Sequence, residues 1–208
     1  MKARFFDYAG VLASAVLIAF GVGAVVMGIS GRNEVGNTLK QEKIVGTPDM
    51  TPTAIKKEMA AAKLTGVTAP TCSVAGQAID SGTNARCFAK YMRIHALEAS
   101  GGKVYAEMGR YLTASGKETD DQNAAAKDPK TGQPVPNGAR ETWVTETALS
   151  TALNTSYFAQ QVGLFSIIMG IALLLTGVGF AVFTLRHLRR RLPDASGAPA
   201  TTALPQAA

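Results

Sequence analysis

Few residues in this chain could do chemistry, and their spacing decides how far each can be taken. There are two histidines. His95 stands three positions before Glu98 in a stretch with a helical pattern, so an H-x-x-E pair would put imidazole and carboxylate on one face. Spacing marks no third ligand, and a surface or core histidine beside a carboxylate is the plainer reading. His187 lies within RHLRRR, where a headgroup-level position is the simple reading. Asp120 and Asp121 are paired carboxylates in a stretch too loose for preorganised acid–base work. Lys56 and Lys57 read as a solvated helix face. There is no glycine-rich phosphate loop, no G-x-S-x-G elbow, and no Ser/His/Asp set that spacing picks out. The expectation is no catalytic residue, no cofactor and no metal ligand.

The elements that would position these residues begin with two apolar runs. Residues 9–29 carry no ionisable group and as a helix would extend about 31 Å, the thickness of a bilayer core. Phe5, Phe6 and Tyr8 precede them as an interfacial aromatic belt. Residues 162–185 form a second uncharged run. A cleaved signal peptide is the rival reading of the first, because Lys2 and Arg4 make a basic start. Its apolar stretch is too long for that, however, and no A-x-A site closes it. The spans predict a multi-pass protein in the lipid bilayer of the plasma membrane. Two helices cannot enclose a pore, and without intramembrane charge they offer no ion or proton path.

The net charge of +6 follows the same plan. Lys2, Arg4, Arg186, Arg189, Arg190 and Arg191 flank the spans, and nothing basic lies between Arg140 and Arg186. Basic residues stay on the cytoplasmic side, which places both termini there and the intervening segment outside. A basic excess set by topology, rather than spread over a folded surface, argues against nucleic-acid binding. Small residues in the spans suggest faces for close helix packing: Ala15, Ala19 and Gly23 in the first, Gly163, Gly170 and Gly177 in the second.

The resulting division is a cytoplasmic N-terminus 1–8, a span 9–29, an extracytoplasmic helical domain 30–161, a span 162–185 and a basic tail 186–208, disordered beyond Pro193. Residues 30–50 read as a polar juxtamembrane stretch. Thr51 and Pro52 mark a helix start, and Gly66 and Pro70 its end. Cys72 and Cys87 are the only cysteines; in an oxidising compartment an even count predicts a disulfide, and they lack the paired spacing of zinc ligands. That bridge would pin the start of a helix running to Gly101. Residues 113–139 hold almost no large apolar group and are expected to be a flexible loop. From Arg140 the chain runs without Gly or Pro into the second span. Residues 140–161 are thus expected to form a stalk helix packed through Trp143, Leu149, Leu153 and Tyr157; a flexible Thr/Ser linker is the competing reading. The fold class is mainly α: two transmembrane helices flanking a small helical extracytoplasmic domain with one disulfide.

Three stretches, MKARFFDYAGVLASAVLIAFGVGAVVMGISGRNEV at the start, TPDMTPTAIKKE with CFAKYMRIHALEA in the middle, and ETWVTETALSTALNTSYFAQQVGLFSIIMGIALLL near the end, carry a resemblance. They resemble an actinobacterial family of two-transmembrane-helix membrane proteins of unknown function, over nearly the whole chain except the tail. Members often bear an automatic label of aromatic ring-opening dioxygenase. Extradiol cleavage requires iron held by two histidines and a carboxylate. His95 and His187 fall on opposite sides of the membrane in the expected topology, so the label has no residue support here. The expected function is a non-enzymatic accessory or scaffold subunit engaging a membrane or envelope protein partner, or a second copy of itself. A small-ligand receptor domain signalling through a partner is the alternative, and an envelope enzyme a third, for which no site is visible.

Overall fold

The computed structural model describes residues 2–191, and it is mainly helical. Its elements are α1 (Lys2–Gln41), α2 (Pro52–Ala61), α3 (Gly82–Ala99), a short 3-10 turn (Tyr105–Glu107), strands β1 (Tyr111–Leu112) and β2 (Glu118–Thr119), and α4 (Gly138–Arg191). The tail expected to be disordered lies, from 192 on, outside the described residues. Two compact units result: one from α1 up to Met27 with α4 from Ser166, the other Gly28–Phe165.

In the first unit both helices are long and apolar enough to cross a membrane. Phe20, Met27, Leu175 and Phe183 are each about 70% exposed, the arrangement of side chains that need an apolar surrounding. The helices run antiparallel and touch through backbone. A Cβ placed on Gly21 would come 2.8 Å from the Gly170 carbonyl oxygen, one on Gly170 2.7 Å from that of Gly21, and one on Gly177 2.8 Å from Ile18 Cγ1. Buried Ser14 and Thr184 extend the line, with the Ser14 hydroxyl donating to the Gly10 carbonyl at 2.7 Å. In the second unit Gly28 meets Gly163 in the same way.

The α4 side of this seam is the Gly163, Gly170, Gly177 series. The α1 side is not Ala15, Ala19 and Gly23: both alanines are exposed, and a Cβ on Gly23 meets nothing within 4 Å. The face that α1 presents is Ser14, Gly21 and Gly28. Steps of four residues rotate a face by about 40° each, whereas steps of seven drift only about 20°. Only the longer step keeps a facing seam. At the end of the seam a Cβ on Gly10 would lie 3.6 Å from Thr184 Cβ, inside the separation that a disulfide requires. The double substitution Gly10→Cys/Thr184→Cys should therefore cross-link within one chain under mild oxidant. Ala15→Cys/Thr184→Cys should not, and peptide mapping of oxidised membranes reads both.

In the second unit α1 continues as helix to Gln41, through what reads in sequence as a juxtamembrane linker. Gly31 and Gly36 are tolerated because no proline interrupts the ladder, and Lys43, at φ +52°, ends it. This extension delivers Leu39 into a core with Met50, Ile55, Met59, Val74, Ile79, Ile94 and Leu153. The Thr51 hydroxyl caps α2 by accepting from Ala54 N at 3.2 Å, with Pro52 at the first helical position. Ser81 caps α3 in the same manner. Gly82 lets α3 start directly against α4, where a Cβ would meet Tyr157 Cα at 2.7 Å.

The Cys72–Cys87 disulfide is formed, with its α-carbons 6.1 Å apart. One turn along α3, Tyr91 is wholly buried and its hydroxyl donates to the Cys72 carbonyl at 2.6 Å. Burial raises the Tyr91 pKa above the ordinary phenol value. The folded chain thus holds this proton more tightly than the unfolded one. The resulting stability is complete below pH about 10 and is lost as pH rises past it. Tyr91→Phe should cost about 1–3 kcal/mol by leaving the carbonyl unpaired. It should also flatten the alkaline limb of the melting curve; identical limbs in both proteins would assign that limb to other groups.

Residues 113–139 follow a defined path, where composition led us to expect a flexible loop. Tyr111 pairs with Thr119 and Leu112 with Glu118 in a two-stranded ribbon. Returning chain adds Ala126 N to Leu112 O at 2.9 Å and Leu112 N to Val135 O at 3.0 Å. Asp128 accepts the amides of Lys130 and Thr131, which hold its carboxyl below the usual range. Ala125 is buried, and Asn137 N donates to Arg110 O where the segment enters α4. Backbone pairing and side-chain-capped turns order it, which a count of apolar residues does not register.

Candidate functional site

α4 runs unbroken from Gly138 to Arg191, and its first turns pack on α3. Trp143 and Leu153 are buried and Tyr157 is half-buried beneath the Arg86 guanidinium, 4.5 Å from its ring centroid. Leu149 departs from the expected stalk face: it is 46% exposed. The buried stripe instead takes in Glu146, only 4% exposed. Arg93 of α3 answers its charge at 3.1 Å and also covers the Trp143 ring at 4.5 Å, while the Ser150 hydroxyl donates to Glu146 Oε1 at 2.6 Å. A carboxylate can occupy this position because a cation and two hydroxyls replace its water.

Leu149 borders an open groove of about 560 Å³ whose wall includes Met50, Phe88, Met92, His95 and Glu146. The groove is apolar along Phe88, Met92 and Leu149 and polar toward His95 and Glu146, the mixed lining typical of small-molecule sites.

His95, at the polar end, is the chemical centre of the unit. Glu98, its expected H-x-x-E companion, is exposed and elsewhere on the helix surface. His95 faces instead Asp49, from the connection before α2, and Glu58, from α2 itself. His95 Nε2 lies 3.0 Å from Asp49 Oδ2 and 3.6 Å from Glu58 Oε2. One donor atom from each of the three falls within 4.8 Å of the others. The three side chains are each about one-third exposed, yet Nε2 itself is shielded from solvent and hydrogen-bonds to neither carboxylate. Asp49 Oδ2 is close to the nitrogen but outside the geometry along which it would donate, and Glu58 Oε2 lies beyond hydrogen-bond distance. The Thr47 hydroxyl, helped by His95, holds the Asp49 carboxyl below the ordinary carboxylate range.

Spacing could not reveal this cluster, since its members come from three separate segments that only the packing of α2 on α3 brings together. The local signal that did exist was Asp49 just ahead of a marked helix start. Asp120 contacts Arg110 at 3.4 Å and Asp121 accepts from Asn123 N, so both serve turns in the ribbon. Arg186, His187, Arg189 and Arg190 are exposed; the side chains of Lys2, Arg4 and Arg191 lie outside the described residues. Comparisons with protein-family models, with curated proteins and with solved structures find no match for this chain.

Proposed function

We propose that this chain is a non-enzymatic plasma-membrane protein of the cell envelope. Both termini are cytoplasmic, and the chain is an accessory or scaffold subunit whose extracytoplasmic unit, residues 28–165, engages a membrane or envelope protein. The observation behind this reading is the pair of helices whose 9–29 and 162–185 segments carry no charge and which close on one another through glycine. Such a pair anchors and offers no conduit, so recognition falls to the unit carrying the disulfide and the groove. The basic residues flanking the spans support the orientation, and the resemblance to the actinobacterial two-helix family fits the same reading.

Topology is tested by a cysteine replacing Asp121, expected to be labelled by impermeant reagents in intact cells, and by a reporter after Arg191, expected to be active inside. Labelling of the terminus but not of position 121 inverts the orientation. Engagement is tested by a photo-crosslinker at Val144 or Leu149 in the full-length protein in cells. One protein adduct, absent when the probe replaces Phe183, is expected; adducts to lipid alone oppose a protein partner. The groove beside His95 favours a second reading, a small-ligand receptor signalling through a partner, because its volume falls in the usual range for ligand sites. A ligand-dependent rise in the melting temperature of the full chain would favour it.

A further inference from the structure

We infer that Asp49, Glu58 and His95 bind one divalent transition ion of the zinc class, clamping the segment before α2, α2 itself and α3 to one another. Zn²⁺ holds imidazole nitrogen and carboxylate oxygen at about 2.0–2.2 Å, so neighbouring donors around a tetrahedral ion sit about 3.3 Å apart. The two separations from His95 Nε2, 3.0 and 3.6 Å, bracket that value. The two carboxylate oxygens lie within 4.8 Å of each other, and closing around an ion would draw them together.

Asp49 Oδ2 is only 3.0 Å from the nitrogen yet outside its hydrogen-bonding geometry, and Glu58 Oε2, at 3.6 Å, is beyond hydrogen-bond reach. A protonated imidazole in a salt bridge donates along its N–H axis to the oxygen it pairs with. Here Nε2 is buried, has both carboxylates near it, and donates to neither. Ligands around a shared cation are arranged in that way, since each points at the ion and none at another ligand. One nitrogen and two carboxylates, without thiolate, suit Zn²⁺ over Cu⁺. Ca²⁺ would need six to eight oxygens, more than these three side chains supply. With three protein donors the ion keeps a water, and the partial exposure of all three side chains leaves room for it. The site holds a single histidine, which also distinguishes it from an iron centre of two histidines and one carboxylate.

The experiment uses the full-length protein in detergent, stripped with chelator and titrated with Zn²⁺. The wild type should retain one equivalent after gel filtration and melt at a higher temperature with the ion than without it. Co²⁺ in its place should give ligand-field bands of a nitrogen–oxygen site. Asp49→Asn, Glu58→Gln and His95→Gln keep side-chain shape, and each should weaken binding about 100-fold or more, the upper end of what even outer-shell changes cost. His187→Ala, a change at the other histidine, should bind as wild type does. A wild type with no bound equivalent and no Zn²⁺-dependent melting shift overturns the site, whatever the variants do. Undiminished binding by His95→Gln, with its Cys72–Cys87 bond intact by non-reducing mass spectrometry, overturns it as well.

Discussion

Cys87→Ser should lower the stability of the 28–165 unit by about 3 kcal/mol, and reduction of the wild type should have the same effect. The bond closes a loop with a sequence separation of 15, for which restricting the unfolded chain contributes about that amount. Its place in the fold makes the figure a lower bound. Cys87 is buried in the second turn of α3, and Cys72 carries the carbonyl that accepts from Tyr91. Freed of its bridge, the 72–81 segment would release Val74 and Ile79, both almost wholly buried, from the core. The melting midpoint of the detergent-solubilised chain should fall by roughly 10 °C in both cases. An unchanged midpoint in reductant, with thiols shown to be free, would mean that packing alone holds this segment.

Leu153→Ala and Leu149→Ala should differ sharply, although the two leucines are one helical turn apart. Leu153 is 5% exposed within the main core, and its truncation should cost about 2–5 kcal/mol. Leu149, at 46% exposure on the rim of the groove, should cost about 0.5 kcal/mol, the range of surface substitutions. Chemical denaturation of the two variants side by side decides the matter. Equal losses would place Leu149 in the core and close the groove.

Those leucines also show how far the sequence could be read. Periodicity marks a helix and an apolar side, and α4 has both. The seam itself is set by what α3 offers, and there Arg93 allows Glu146 to displace Leu149 from the buried stripe. The two spans, the cap at Thr51–Pro52 and the disulfide were legible because each rests on local composition, a local motif or a count of two. The continuation of α1 to Gln41 was not, since Gly36 and the charged residues around it read equally as linker. Ordering of 113–139 depends on pairing between Leu112, Ala126 and Val135, which no periodicity announces. The cluster at His95 was half visible: the histidine stood out, but Asp49 and Glu58 become its neighbours only through the packing of α2 on α3.

In the membrane placement proposed above, the glycine seam would tie the two helices to the thickness of the bilayer. Side-chain packing leaves two helices some freedom to tilt separately, but contacts such as Gly21 to Gly170 are made by backbone on both sides and open with a small rotation of either helix. In a thinner or thicker membrane the pair must therefore tilt as one body or deform the lipid around it, at a cost that grows with each ångström of mismatch. Acyl-chain length thus acts on both helices together, and the protein would partition toward the membrane regions that its paired length already fits.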